Sequence, residues 1–167
     1  MKSIYFLVDY KSDVLKVFKA YFENNGGFEH AILVAAVVAL VVAAIFYLAI
    51  GFKSFKLSTI YTWVAMLVIS MGITCATTSY VAMEGLKPTL NKIAQKEGIK
   101  DDPTKKLKVE SMNRDFKRGA FYVKPVRALC VNNTIYNAFI YPLLSAVFCA
   151  ALPKRNTCKN IPFKFKK

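Results

Sequence analysis

One otherwise apolar stretch is crowded with hydroxyls at Thr59, Thr62, Ser70, Thr74, Thr77, Thr78 and Ser79. Such hydroxyls can line a water path between assembled copies of a chain, or bond back to their own helix and need no water. The groups that bond-making chemistry requires are sparser. His30 is the only histidine, so there is no second imidazole for a metal or a proton relay, and its place beside Glu29 at a helix start suits an interface residue. Cys75, Cys130, Cys149 and Cys158 show no CxxC spacing, which points to packing and not to a zinc site or a disulfide framework. The chain contains no Gly-rich phosphate loop, GxSxG elbow or HExxH motif. The expectation is a protein that is not an enzyme, with no catalytic, cofactor or metal site and no identifiable small-molecule substrate.

The elements that hold these residues follow from how charge is distributed. Hydrophobic residues make up 55% of the chain, yet its formal net charge is +14, and both fit one molecule only if apolar and basic segments alternate. From His30 to Phe52 there is no Asp, Glu, Lys or Arg, and at about 1.5 Å per residue this run crosses the roughly 30 Å hydrocarbon core. A second uncharged run covers Leu57–Met83, and the short GFKSFK link between the two predicts an antiparallel transmembrane hairpin over 28–83. A third candidate span covers 134–152, with Asn137 and Pro142 inside it and Asn132 and Asn133 before it. The fold class is therefore an all-α membrane protein: a helical hairpin and a third span.

Two flanking segments complete the organisation. Lys2 precedes the apolar SIYFLV, but Asp9 and Lys11 interrupt it too early for a signal peptide, so Met1 is expected to remain. Instead Leu7, Tyr10, Val14, Val17, Phe18 and Tyr21 recur at three-and-four spacing opposite Asp9, Asp13, Lys16, Lys19 and Glu23. This is the pattern of an amphipathic helix within 1–27, ending at Asn24-Asn25-Gly26-Gly27 and lying in the membrane interface or packed on protein. Between the second and third spans lies the basic segment 84–133, with twelve Lys or Arg against six Asp or Glu. Pro88 suits the start of a short helix there, with Leu86, Leu90 and Ile93 on one side, ending near Gly98. Asp102-Pro103 suits the start of a second helix that Gly119 stops. Its apolar side, Leu107, Val109, Met112 and Phe116, is too small for an independent core and must lean on membrane or protein.

Counting Lys and Arg gives the orientation. With three spans, the N-terminal segment and central loop share a side carrying sixteen, while the hairpin turn and the tail 153–167 share a side carrying eight. The bias puts the N-terminus and the loop on the cytoplasmic or equivalent side of a bacterial cytoplasmic membrane or an organelle inner membrane. If Pro142 marks a re-entrant segment instead, the count becomes twenty-two against two. The Asn132-Asn133-Thr134 glycosylation triplet then lies on the inner side and carries little weight.

Within the spans, Ala31, Ala35, Ala39 and Ala43 recur every four residues, as do Gly72 with Ala76, Thr74 with Thr78, and Cys75 with Ser79. Small residues in register let helix backbones approach closely, either within the chain or against other subunits. Outside the spans, Lys105, Lys106 and Lys108 in the loop and Lys164, Lys166 and Lys167 in the tail, interleaved with Phe163 and Phe165, suit anionic phospholipid headgroups. A nucleic-acid partner is not expected, because the charge comes without a reading motif. The two sure spans contain no acidic or basic residue, which argues against a pump or coupled transporter. Two functions remain. One is a non-catalytic membrane-anchor or scaffold subunit whose partners are other membrane-protein subunits. The other is a small pore former, holin-like or effector-like, assembling from copies of itself.

Overall fold

The computed structural model describes residues 7–8, 16–50, 59–95 and 102–152. Within these residues the secondary structure is helical, with no strand. A short turn, α1 (Val17–Lys19), widens into a π-helical turn, Ala20–Asn24. Then come α2 (Gly27–Ala44), continued by a π-helical segment at Ile45–Ile50, α3 (Ile60–Ala94), α4 (Pro103–Arg118), a single 3-10 turn at Ala120–Tyr122, and α5 (Lys124–Ala151). Three helical stretches, Gly27–Ala49, Ile60–Ala94 and Lys124–Ala151, are long and apolar enough to cross a membrane.

The helices run further than the apolar runs that announced them. α3 does not end near Met83 and restart at Pro88; it continues through Pro88 to Ala94. Proline removes one intrahelical hydrogen bond, the one to the carbonyl of Glu84, and both residues lie on the exposed side, where water can take that carbonyl. Of the expected apolar side, Leu86 and Leu90 are buried and Ile93 is partly buried. α5 begins at Lys124 and not at residue 134, with Pro125 in the first turn, where a missing N–H costs nothing. Pro142 sits inside this helix, which continues unbroken through the position where the alternative topology would place a re-entrant break. α4 follows the sequence closely. Backbone N–H groups of Thr104 and Lys105 donate to Asp102 Oδ1 at 3.0 and 3.3 Å, and Gly119 ends the helix at φ 115°, a conformation that favours glycine. None of its residues is buried.

The chain divides into two compact units. One comprises the described residues up to Leu33 together with Cys75–Asn133; the other comprises Val34–Thr74 and the described residues from Thr134 onward. The first is built around the N-terminal segment: Val17, Tyr21, Phe22 and Phe28 are buried with Leu86, Leu90, Val126 and Leu129. Phe22 stacks on Phe28 with centroids 4.9 Å apart, and the Tyr21 ring meets Phe22 edge-on at 5.1 Å. Of the residues expected to form an amphipathic face, Val17 and Tyr21 are therefore covered by protein, while Tyr10 and Val14 lie outside the described residues. Asn25 and Gly26, the latter at φ 68°, make the turn into α2. The second unit is built around Ala39, Val42, Ala43, Phe46, Tyr47, Trp63, Tyr141 and Cys149. Tyr47 stacks on Phe148 at 5.4 Å.

Two glycines create the slot that Tyr21 occupies. A Cβ on Gly85 would overlap the Tyr21 ring, and one on Gly27 would lie 2.7 Å from Tyr21 Cε1. The ring is held there while its hydroxyl reaches the Val81 carbonyl at 3.4 Å.

Two predictions follow from these local arrangements. Gly85→Ala gains up to about 1 kcal/mol of helix propensity but overpacks a filled slot, which costs about 1–3 kcal/mol, so unfolding titrations in detergent should show net destabilisation. In a Tyr21→Ala background the same change should be neutral or stabilising. Hydrogen bonds from Thr104 and Lys105 hold the Asp102 carboxyl at about 2, below its ordinary 3.8. Its contribution to the start of α4 is therefore complete above about pH 4 and lost as pH falls through about 2. NMR shifts of the Thr104 and Lys105 amides should titrate over that window, and Asp102→Asn should remove the titration.

Candidate functional site

Two of the buried polar residues of the spans, Asn133 and Asn137, each join three helices. In the first unit, the Asn133 carboxamide N–H₂ on α5 donates to the Ala31 carbonyl on α2 and to Thr78 Oγ1 on α3, the latter at 2.8 Å. In the second unit, the Asn137 carboxamide donates to the Ala35 carbonyl at 3.2 Å and to Thr74 Oγ1 at 2.9 Å. Each triad thus takes an Asn, a Thr and a small residue from three different helices. The members of the two triads are four apart in sequence on each helix, close to one helical turn. Alanine at 31 and 35 has a definite role here: a larger side chain would keep a carboxamide away from the main-chain carbonyl behind it.

Further polar contacts follow the same inward pattern. Trp63 Nε1 donates to Ser145 Oγ at 3.0 Å, and Ser145 in turn donates to the Tyr141 carbonyl at 2.9 Å. Ser79 spends its one proton on the Cys75 carbonyl at 2.8 Å, so in the 3.0 Å contact between Ser79 Oγ and Cys130 Sγ the thiol is the donor. Cys75, Cys130 and Cys149 form no disulfide, and Cys158 lies outside the described residues. Ser70 is buried as well.

The expected site residues separate into two groups. Ala31, Ala35, Ala39 and Ala43 are all buried within this single chain, so their face is already occupied by the chain's own helices. Gly72 and Ala76 point outward, and a Cβ built on Gly72 meets nothing within 4 Å. Of the basic residues, Lys106 and Lys108 are exposed on α4, while Lys105 is half-buried and paired with Asp102 at 3.2 Å. Lys164, Lys166 and Lys167 lie outside the described residues. His30 is exposed. Asn137 is visible in the sequence only as a polar interruption of the third span, and Asn133 only as a polar residue before it. The clue that would have found them is the shared four-residue spacing of Asn133/Asn137, Thr74/Thr78 and Ala31/Ala35.

Large apolar side chains take the opposite face. Leu33 is 60%, Val68 61%, Phe139 67% and Leu143 67% exposed, whereas Asn133, Asn137 and Thr74 are wholly buried. Polar groups inside and an apolar belt outside is the arrangement a bilayer demands, because lipid cannot hydrogen-bond a carboxamide. Compared with protein-family models, curated proteins and solved structures, the chain matches none.

Interhelical hydrogen bonds in membranes contribute about 0.6 kcal/mol on average and up to about 1.7 kcal/mol. Asn137→Ala removes two such bonds, so it should destabilise the folded chain by about 1–3 kcal/mol when unfolded with SDS from mixed micelles. Asn137→Leu should cost more than Asn137→Ala, because it also forces bulk against Ala35.

Proposed function

We propose that this protein is a non-catalytic membrane-anchor or scaffold subunit of a larger membrane assembly, and that it presents the outer face of α3 to its partner. The observation that carries this reading is the division of its small residues: the alanine stripe is consumed within the chain, while Gly72 and Ala76 remain open in an apolar surface with Val68, Ile69 and Ile73. A small-xxx-small notch facing outward lets another helix approach closely, with gains in dispersion contact that lipid chains supply less well. In this reading α2 and α3 form an antiparallel hairpin, which the short link between them favours. The N-terminus and central loop face the cytoplasmic or equivalent side of a bacterial cytoplasmic or organelle inner membrane, as the Lys and Arg bias favours. The exposed Lys106 and Lys108 on α4 then sit where anionic headgroups are available.

The pore-forming alternative needs the hydroxyls of α3 to face water between copies. Thr74 and Thr78 accept from Asn137 and Asn133, Ser70 is buried, and Ser79 bonds within the first unit, which leaves few hydroxyls for that purpose. Leucine at the buried Ala35 or Ala39 would disrupt the chain's own packing before any partner was affected.

Gly72→Leu/Ala76→Leu is the discriminating variant, because both side chains extend into open space. Extracted gently from its native membrane, the unsubstituted chain should co-purify with other proteins at fixed stoichiometry, and the variant should lose them at least fivefold while keeping its helical content. Recovery as a ring of this chain alone, with dye release from liposomes, would instead favour the pore.

A further inference from the structure

The first unit contains a cleft of about 350 Å³ lined by Leu7, Lys124, Arg127, Ala128 and Val131. Four of the five lie on the opening two turns of α5. Lys124 and Ala128 are four apart, as are Arg127 and Val131, and Lys124 and Arg127 are three apart, so these residues share one side of the helix. The cationic pair comes first and the apolar pair follows toward the interior of the span. Among the described residues neither Lys124 nor Arg127 has a carboxylate partner, although Asp and Glu elsewhere take part in ion pairs with Lys19, Lys87 and Lys105.

We infer that this cleft is a binding site for one anionic phospholipid, its phosphate held by Lys124 and Arg127 and its glycerol and upper acyl chain lying along Ala128, Val131 and Leu7. The order of the lining residues matches the order of groups in such a lipid. An Arg guanidinium can grip two phosphate oxygens in parallel, and the Lys ammonium adds a flexible point charge beside it. Val131 and Leu7, 45% and 42% exposed, supply the apolar continuation that a free phosphate would leave unused. The positive end of α5, which starts at Lys124, adds a field of the same sign. A basic pocket at the end of a transmembrane helix is a setting in which anionic headgroups are recognised. The site depends on α5 lying in a bilayer and not on the anchor role, so loss of partners in the Gly72 variant leaves it unaffected.

The test uses the full chain in liposomes containing either phosphatidylglycerol or phosphatidylcholine, each with a photoreactive diazirine near the top of one acyl chain, and maps the labelled peptides by mass spectrometry. Phosphatidylglycerol should label Leu7 and the 128–131 segment at least fivefold more than phosphatidylcholine. Lys124→Gln/Arg127→Gln should erase that excess, Lys124→Arg/Arg127→Lys should retain most of it, and millimolar inorganic phosphate should not compete. Equal labelling by the two lipids, or an excess that survives the double neutralisation, overturns the site. Full competition by inorganic phosphate overturns its assignment to lipid. If the glutamine variant loses helical content, the headgroup comparison on the unsubstituted chain and the conservative pair still decide.

Discussion

A carboxamide in hydrocarbon has no water to turn to, so each Asn in a membrane span must find its partners on another helix or remain a cost of several kcal/mol. Asn133 and Asn137 meet this constraint in the same way with their carboxamide N–H₂ groups, each shared between a main-chain carbonyl of α2 and a threonine hydroxyl of α3, whereas Asn137 Oδ1 and both side-chain polar atoms of the buried Asn132 find no partner among the described residues. Much of the remaining arrangement depends on it. The partner helix must carry alanine where the carboxamide reaches its backbone, the third helix must carry threonine at the matching height, and large side chains are left for the outside. Polar bonds of this kind add modest energy, but they are directional. They specify a register that apolar packing alone would leave loose.

The hydroxyl-rich stretch acquires its meaning from the same constraint. Seen alone, Thr74 and Thr78 could belong to a water path or to a helix interface. Their engagement by Asn137 and Asn133 makes them acceptors inside the chain, and the outward side of α3 is then Gly72, Ala76 and aliphatic residues. A helix polar on its inner face and apolar with a small-residue notch on its outer face is equipped to stand in lipid and to meet another helix. That is the physical content of the anchor proposal.

Three apolar helices were legible because run length and absence of charge are properties of sequence alone. The start and stop of α4 were equally legible, since Asp102, Pro103 and Gly119 act through local geometry. Helix ends were less so. Pro88 reads as a beginning, yet α3 carries on because one missing hydrogen bond on an exposed side is tolerated. Pro125 shows the conventional first-turn placement nine residues before the candidate span 134–152. The stripe of alanines was visible, but periodicity cannot name what a stripe packs against, and here it is the chain's own α3 and α5 carboxamides and hydroxyls in part. Asn133 and Asn137 were the least legible, because a polar residue in a span counts against it until its partners are known. Tyr21 belongs to the apolar spacing of the N-terminal segment, but the glycine slot that receives it involves Gly85, sixty-four positions away, which no local pattern exposes.

The central claim is that polar residues of the spans face inward and the aliphatic belt faces lipid. Single cysteines carrying nitroxide labels at Val37, Val68 and Leu143, and at Phe46, Ser70 and Ser145, in liposomes, test it most directly through collisions with oxygen and with a water-soluble nickel complex. High oxygen accessibility at the first three positions, with neither reagent reaching the second three, is the predicted result. Ready access of the nickel complex to Ser70 or Ser145, or oxygen accessibility without contrast between the two sets, would contradict it.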